Sequence, residues 1–75
     1  MTHEALHTLL TELGWTRVDR ADGRVDHYYS EGPCDRMLAT IPECPLDALC
    51  ETRGGGRSQA ALDDAARWAR EAVAS

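Results

Sequence analysis

The chain has 75 residues, a net charge of −5 and no lysine. This length predicts one small domain over residues 1–75, because short chains bury only about 60% of their unfolded surface. The acidic balance argues against direct nucleic-acid binding, which relies on a basic surface. No apolar run approaches the roughly 20 residues of a membrane span, and the start of the chain lacks the basic and apolar segments of a signal peptide. We expect a cytoplasmic protein that needs no cofactor.

The first predicted element is a helix from about Glu4 to Leu13. Thr2 is expected as its N-cap, because a hydroxyl accepts from an orphan amide of the first turn. Gly14 is expected as the left-handed residue that ends the helix. Apolar residues recur at three- and four-residue steps. This apolar stripe consists of Ala5, Leu6, Leu9, Leu10 and Leu13.

A β-hairpin follows, because Asp22-Gly23 is a strong turn signal between segments rich in β-branched and aromatic residues. The two predicted strands are Thr16–Arg20 and Val25–Ser30. A two-residue loop would pair Val18 with His27, whereas a three-residue loop would pair it with Tyr28. The two registers put opposite faces inward, and the sequence leaves both open.

The third predicted strand runs from Arg36 to Ile41 and stops at Pro42, because proline cannot donate to a ladder. The segment from Pro45 to about Glu51 is predicted as a short helix, since proline is tolerated at the first helical position. Residues 54–56 are three glycines, which are interpreted as a hinge.

The last predicted helix spans about Gln59 to Ala74, with Ser58 as N-cap. Its buried stripe is expected to contain Leu62, Ala65, Ala66, Ala69 and Val73. Trp68 lies beside this stripe, at the core edge or at an interface, and the core edge is favoured. Together the elements predict an α+β fold of order α-β-β-β-α, with a three-stranded antiparallel sheet and both helices packed on one face.

Acidic residues cluster between positions 31 and 51, where the only basic residue is Arg36. The acidic residues are Glu31, Asp35, Glu43, Asp47 and Glu51. Such a segment can attract a basic partner, or it can simply keep a small protein soluble. With Tyr28, Tyr29 or Trp68 as apolar anchors, it is the predicted partner-binding site.

Two other patterns have the residue types of metal sites. His3 and His7 belong to an HExxH sequence, which on a helix can hold zinc with the glutamate as general base. Two solvent-facing histidines are the preferred interpretation. Cys34, Cys44 and Cys50 show no paired C-x2-C spacing, so we expect buried small hydrophobes, at least for the last two.

The segment Leu9–Trp15, a hairpin with His27, and the segment Arg36–Pro42 resemble the HicA-type mRNA interferases over roughly the first half of the chain. These small toxins have a double-stranded-RNA-binding-domain-like α-β-β-β-α fold. Their catalytic histidine lies on the second strand, and only His27 matches it. The resemblance therefore implies a ribonuclease with His27 as general base.

The segments Ala39–Pro45 and Ala60–Ala65 are similar to the HicB-type antitoxins. This second resemblance implies a protein that binds a partner. With the small size and acidic charge, it favours a non-catalytic inhibitor that occupies the basic surface of a protein, such as a nucleic-acid-binding protein. Antitoxin-like and anti-CRISPR-like proteins of phages or mobile elements are the expected classes. A HicA-like ribonuclease and a metal protein that uses residues 3–7 are the alternatives.

Overall fold

The computed structural model describes residues 1–30 and 35–74. These residues form two helices and five strands. In chain order they are α1 (His3–Glu12), β1 (Thr16–Asp19), β2 (Val25–Tyr29), β3 (Arg36–Thr40), β4 (Asp47–Thr52), β5 (Arg57–Ala61) and α2 (Leu62–Ala74). All neighbouring strands pair antiparallel in the order β1-β2-β3-β4-β5. The prediction of a three-stranded sheet is therefore wrong, because the sheet has five strands.

The two additional strands replace predicted helix. The segment expected to form a short helix after Pro45 is β4, in which Ala48 and Cys50 are buried and their neighbours are half-buried. This alternation has the period of a strand packed on one face. Ser58, expected as an N-cap, instead pairs with Cys50 in β5. Pairing with residues distant in sequence therefore outweighs the tolerance of proline at a helix start.

Two turns of the same geometry close the outer hairpins. In the first, the Arg20 amide donates to the Arg24 carbonyl, and Gly23 takes φ +92°. In the second, the Thr52 amide donates to the carbonyl of residue 56, and Gly55 takes φ +87°. Three-residue loops commonly end in such a left-handed glycine. The glycines at 54–56 thus lie in a hairpin turn and do not form a hinge between helices.

The first hairpin adopts neither predicted register. Its loop consists of residues 21–23, and Val18 pairs with Asp26. The predicted three-residue loop, which pairs Val18 with Tyr28, would be centred on Gly23. The observed loop is centred on Asp22, because Gly23 takes its last position. As a result His27 lies opposite Arg17, and the two side chains share one face of the sheet.

The helix ends follow the local sequence signals. The Thr2 hydroxyl accepts from the Ala5 amide at 3.1 Å, which confirms the predicted N-cap of α1. Gly14 takes φ +92°, as expected of the residue that ends the helix. Ala5 is exposed, although its spacing placed it in the apolar stripe. Neither described helix is long and apolar enough to cross a membrane.

Both helices pack on the same face of the sheet, as predicted. The sheet side chains in the core are Leu38, Ala48 and Cys50, which alternation places on one face. The helices contribute Leu6, Leu10, Leu62, Ala65, Ala66, Ala69 and Ala72. The opposite face, which we call the open face, carries the residues that alternate with these.

Candidate protein-binding surface

A cavity of about 230 Å³ lies at the end of the sheet where β2 stops and β3 begins. Four of the predicted partner-binding residues line it: Tyr28, Tyr29, Asp35 and Glu51. The structure therefore brings two carboxylates and two aromatic side chains of the sequence prediction around one opening. Arg36 and Arg53 also line this opening, which we call the acidic cavity after its two carboxylates.

The strand register explains why these residues meet. Met37 pairs with Tyr28 on β2 and with Glu51 on β4. Residues directly opposite one another in antiparallel strands place their side chains on the same face. The three side chains therefore form a row across the open face, and Met37 lies between the ring and the carboxylate. Asp35 immediately precedes β3 at the same end of the sheet.

Both carboxylates of the acidic cavity already have basic neighbours. Asp35 lies 3.2 Å from Arg53, whose side chain is 73% exposed. Glu51 lies 3.3 Å from Arg57, whose side chain is 64% exposed. Exposed ion pairs contribute about 0–1 kcal/mol, so these arginines can turn away when another cation approaches. The two carboxylates are thus held in place by weak ion pairs that another cation can replace.

Arg36 and Tyr29 join the acidic cavity to the core. The Tyr29 ring stacks on Trp15 with centroids 5.5 Å apart. The Arg36 guanidinium lies 4.8 Å from the centre of the Trp68 ring and donates to the Trp68 carbonyl at 3.0 Å. Trp68 itself packs on Trp15 at the core edge, as expected. It lies on the helix side of the sheet and does not line the acidic cavity.

The remaining predicted acidic residues lie elsewhere. Asp47 is on β4, accepts a hydrogen bond from Gln59 at 3.0 Å, and borders a depression of about 70 Å³ beside Ile41 and Leu49. Glu43 is exposed between β3 and β4. Glu31 lies outside the described residues. The predicted acidic segment is therefore divided between the acidic cavity and a second region of the open face.

A buried carboxylate lies at the other end of the open face. Asp26 is fully buried and accepts hydrogen bonds from Arg20 at 2.8 Å and Arg24 at 3.0 Å. Burial acts to raise the pKa of this carboxyl, but the two guanidinium groups outweigh it and hold the pKa below its ordinary value. Arg20 also donates to the Tyr28 hydroxyl at 2.7 Å. This contact fixes one wall of the acidic cavity.

The three histidines lie together between α1 and the sheet. His7 Nε2 is 2.7 Å from the Thr40 hydroxyl, and the His7 ring stacks on His27 with centroids 5.2 Å apart. His3 Nε2 is 3.0 Å from the Cys44 carbonyl, where it acts as the donor. Both histidines of the HExxH sequence therefore contact protein groups, and the expectation that they face solvent is wrong for His7, which is 7% exposed.

His27 is fully buried, and neither ring nitrogen has a hydrogen-bond partner among the described residues. Burial, together with the nearby positive charges of His7 and Arg17, lowers its pKa to about 4. The pKa of His7 is lowered for the same main reason. A general base must reach the proton that it removes, and α1 covers this imidazole. The geometry does not bring His27 to a surface that RNA can contact.

Among residues 1–30 and 35–74, no group of three or more His, Cys, Asp or Glu side chains could hold a metal ion. Cys50 is buried in the core, and burial raises the pKa of its thiol. Cys44 is half-buried. The predicted role of a buried small hydrophobe is therefore confirmed for Cys50 but not for Cys44, and Cys34 lies outside the described residues.

Sequence reasoning missed Arg36, Met37 and Arg53, which also line the acidic cavity. Strand alternation puts Met37 on the same face as Ala39, but its place between Tyr28 and Glu51 depends on the register of three strands. Arg53 could not have been found from the sequence, since its contact with Asp35 depends on the hairpin formed by β4 and β5. No family model matches the chain, and neither a curated protein nor a solved structure matches it.

Proposed function

We propose that this protein is a protein-binding module that holds an arginine or lysine side chain of a basic partner in the acidic cavity. The observation that supports this function is the convergence of Asp35, Glu51, Tyr28 and Tyr29 around one opening of about 230 Å³. Carboxylates pair with a guanidinium through charge-assisted hydrogen bonds, and aromatic faces attract cations. The net charge of −5 adds long-range attraction for a basic surface.

This function is that of an inhibitor that occupies a basic surface, which fits antitoxin-like and phage anti-defence proteins, including anti-CRISPR-like ones. No catalytic step is part of the proposal. The ribonuclease alternative would require His27 to contact RNA, and its full burial does not favour that role. The zinc alternative would require ligands that the described residues do not assemble.

The test uses a hexa-arginine peptide as the probe and two-dimensional NMR of the labelled protein. We expect amide shifts centred on Tyr28, Asp35 and Glu51 at low salt. At about 1 M salt the shifts should disappear, because the screening length falls to about 3 Å. Shifts scattered evenly over all acidic residues would contradict a defined site. A hexaglutamate peptide should produce no shifts.

A charge-reversal pair sharpens the test. Glu51→Arg should weaken peptide binding by roughly fivefold or more, because it replaces a nearby attraction with a repulsion. Glu12→Arg makes the same change of net charge at an exposed position on α1 and should leave binding nearly unchanged. Equal weakening by both variants would show that only the overall charge matters. Thermal unfolding of each variant checks that it is folded.

A further inference from the structure

The β1 edge of the sheet is self-complementary in charge. β1 is the first strand in the sheet order and has a neighbour on one side only. Its four residues are Thr-Arg-Val-Asp. Arg17 and Asp19 lie two residues apart, so their side chains share the helix-side face. They pair with each other at 2.9 Å, and both are substantially exposed.

The backbone of β1 defines which amides are available for pairing. The Arg20 amide donates to the Arg24 carbonyl at 2.8 Å, so this pair is a hydrogen-bonded one. Such pairs alternate with non-hydrogen-bonded pairs along an antiparallel ladder. The amides and carbonyls of Val18 therefore point toward β2, whereas those of Arg17 and Asp19 point outward from the edge.

One two-fold symmetric pairing of two β1 strands both forms backbone hydrogen bonds and places opposite charges across from each other. When Val18 lies on the axis, Arg17 faces Asp19 of a second copy, and Asp19 faces Arg17 of that copy. Each of these pairs exchanges two backbone hydrogen bonds between groups that already point outward. Opposite charges directly across two strands stabilise the pairing. Centring the axis on Arg17 would instead place two guanidinium groups face to face.

The helix-side surface leaves room for this arrangement. A polar cavity of about 390 Å³ adjoins the edge, between α1 and β1, and is lined by Glu4, His7, Thr8 and Arg17. The Arg17 side chain therefore has open space beside the strand, and the Asp19 side chain is 64% exposed. We propose that β1 pairs with β1 of a second copy, which joins two sheets into one continuous sheet. Both open faces then lie on the same side.

The test measures the oligomeric state by sedimentation at concentrations up to about 1 mM, since interfaces of this size are weak. Wild-type protein should show a monomer–dimer equilibrium. Arg17→Asp alone and Asp19→Arg alone should each weaken self-association by about tenfold, because like charges then face each other. A mixture of the two single variants should form heterodimers, and a variant carrying both changes should self-associate again.

The matched control for Arg17→Asp is Arg57→Asp on β5, which makes the same change of net charge at the opposite edge and should leave the equilibrium unchanged. Wild-type protein that stays monomeric throughout the concentration range would overturn the proposal. Dimers that persist in both single variants, or that weaken equally in the β5 control, would also overturn it. Circular dichroism of each variant shows that it is folded, which separates lost pairing from lost structure.

Discussion

His27 occupies the helix side of the sheet, where its imidazole must remain neutral. The ring is fully buried, its nitrogens have no hydrogen-bond partner among the described residues, and His7 stacks on it. Titratable and charged groups around it come from each adjoining element: Arg17 and Asp19 from β1, Asp26 from its own strand, and His7 from α1. Charging this ring therefore opposes folding.

Stability should fall on acidification between about pH 6.5 and pH 4. In this range the unfolded chain, in which His27 has its ordinary pKa near 6.5, binds a proton that the folded chain with a pKa of about 4 excludes. Excess proton binding by the unfolded state lowers stability as pH falls, by about 3 kcal/mol for a shift of this size. Above pH 6.5 the stability contributed by neutral His27 is fully present. Urea unfolding across this pH range measures the effect.

The variant His27→Leu tests the assignment. It replaces the ionisable ring and its two unsatisfied polar atoms with an apolar side chain of similar size, so stability at pH 7 should be equal or higher. The fall in stability between pH 6.5 and 4 should become smaller. A variant whose urea midpoints follow the wild-type pH curve would show that another group is responsible.

At the scale of elements, the hairpin of β4 and β5 completes the acidic cavity, whose other residues come from β2 and the start of β3. It carries Glu51, supports Arg53 beside Asp35, and turns at Gly55. The turn repeats the geometry of the first hairpin, with a left-handed glycine at the last loop position. A left-handed residue with a side chain is strained, so this turn depends on glycine.

Gly55→Ala should destabilise the protein by about 1 kcal/mol, because alanine cannot adopt φ +87° without strain. Gly54→Ala is the matched control, since its φ is not in the left-handed region and an added Cβ would contact nothing within 4 Å. That change should be neutral or slightly stabilising, because it reduces the entropy of the unfolded chain. Thermal melts of both variants measure the difference. Equal melting temperatures of the two variants would argue against a left-handed conformation at Gly55.

At the scale of the whole molecule, the close approach of α2 to the sheet determines how the core is filled. Ala65, Ala66, Ala69 and Ala72 are buried against a sheet face that carries Ala48 and Cys50. Small side chains on both surfaces allow the backbones to approach closely. Interiors are packed as densely as organic crystals, so this layer has little room for larger groups.

Ala69→Leu should therefore destabilise the protein by about 1–3 kcal/mol through overpacking. Ala5→Leu makes the same change at an exposed position of α1 and should alter stability by less than about 0.5 kcal/mol. Urea denaturation measures both. If Ala69→Leu were as stable as the control, α2 would not pack as closely as the structure describes.

The sequence by itself determined the features encoded within a few residues. The N-cap at Thr2, the end of α1 at Gly14, the existence of the first hairpin and the strand beginning at Arg36 all follow from local capping, turn and breaker chemistry. Most of the α2 stripe follows from its period, with Ala72 buried and Val73 only partly so. These signals act over one or two turns of chain and need no distant partner.

Only the tertiary structure decided the identity of β4 and β5, the hairpin register and the burial of His27. Cys50 pairs with Leu38 on one side and Ser58 on the other, and strand stability comes mainly from such cross-strand neighbours. The one-residue shift that pairs Val18 with Asp26 also selects which side chains face α1. The acidic cavity depends on the same pairings, because they bring residues of three strands together that are distant in sequence.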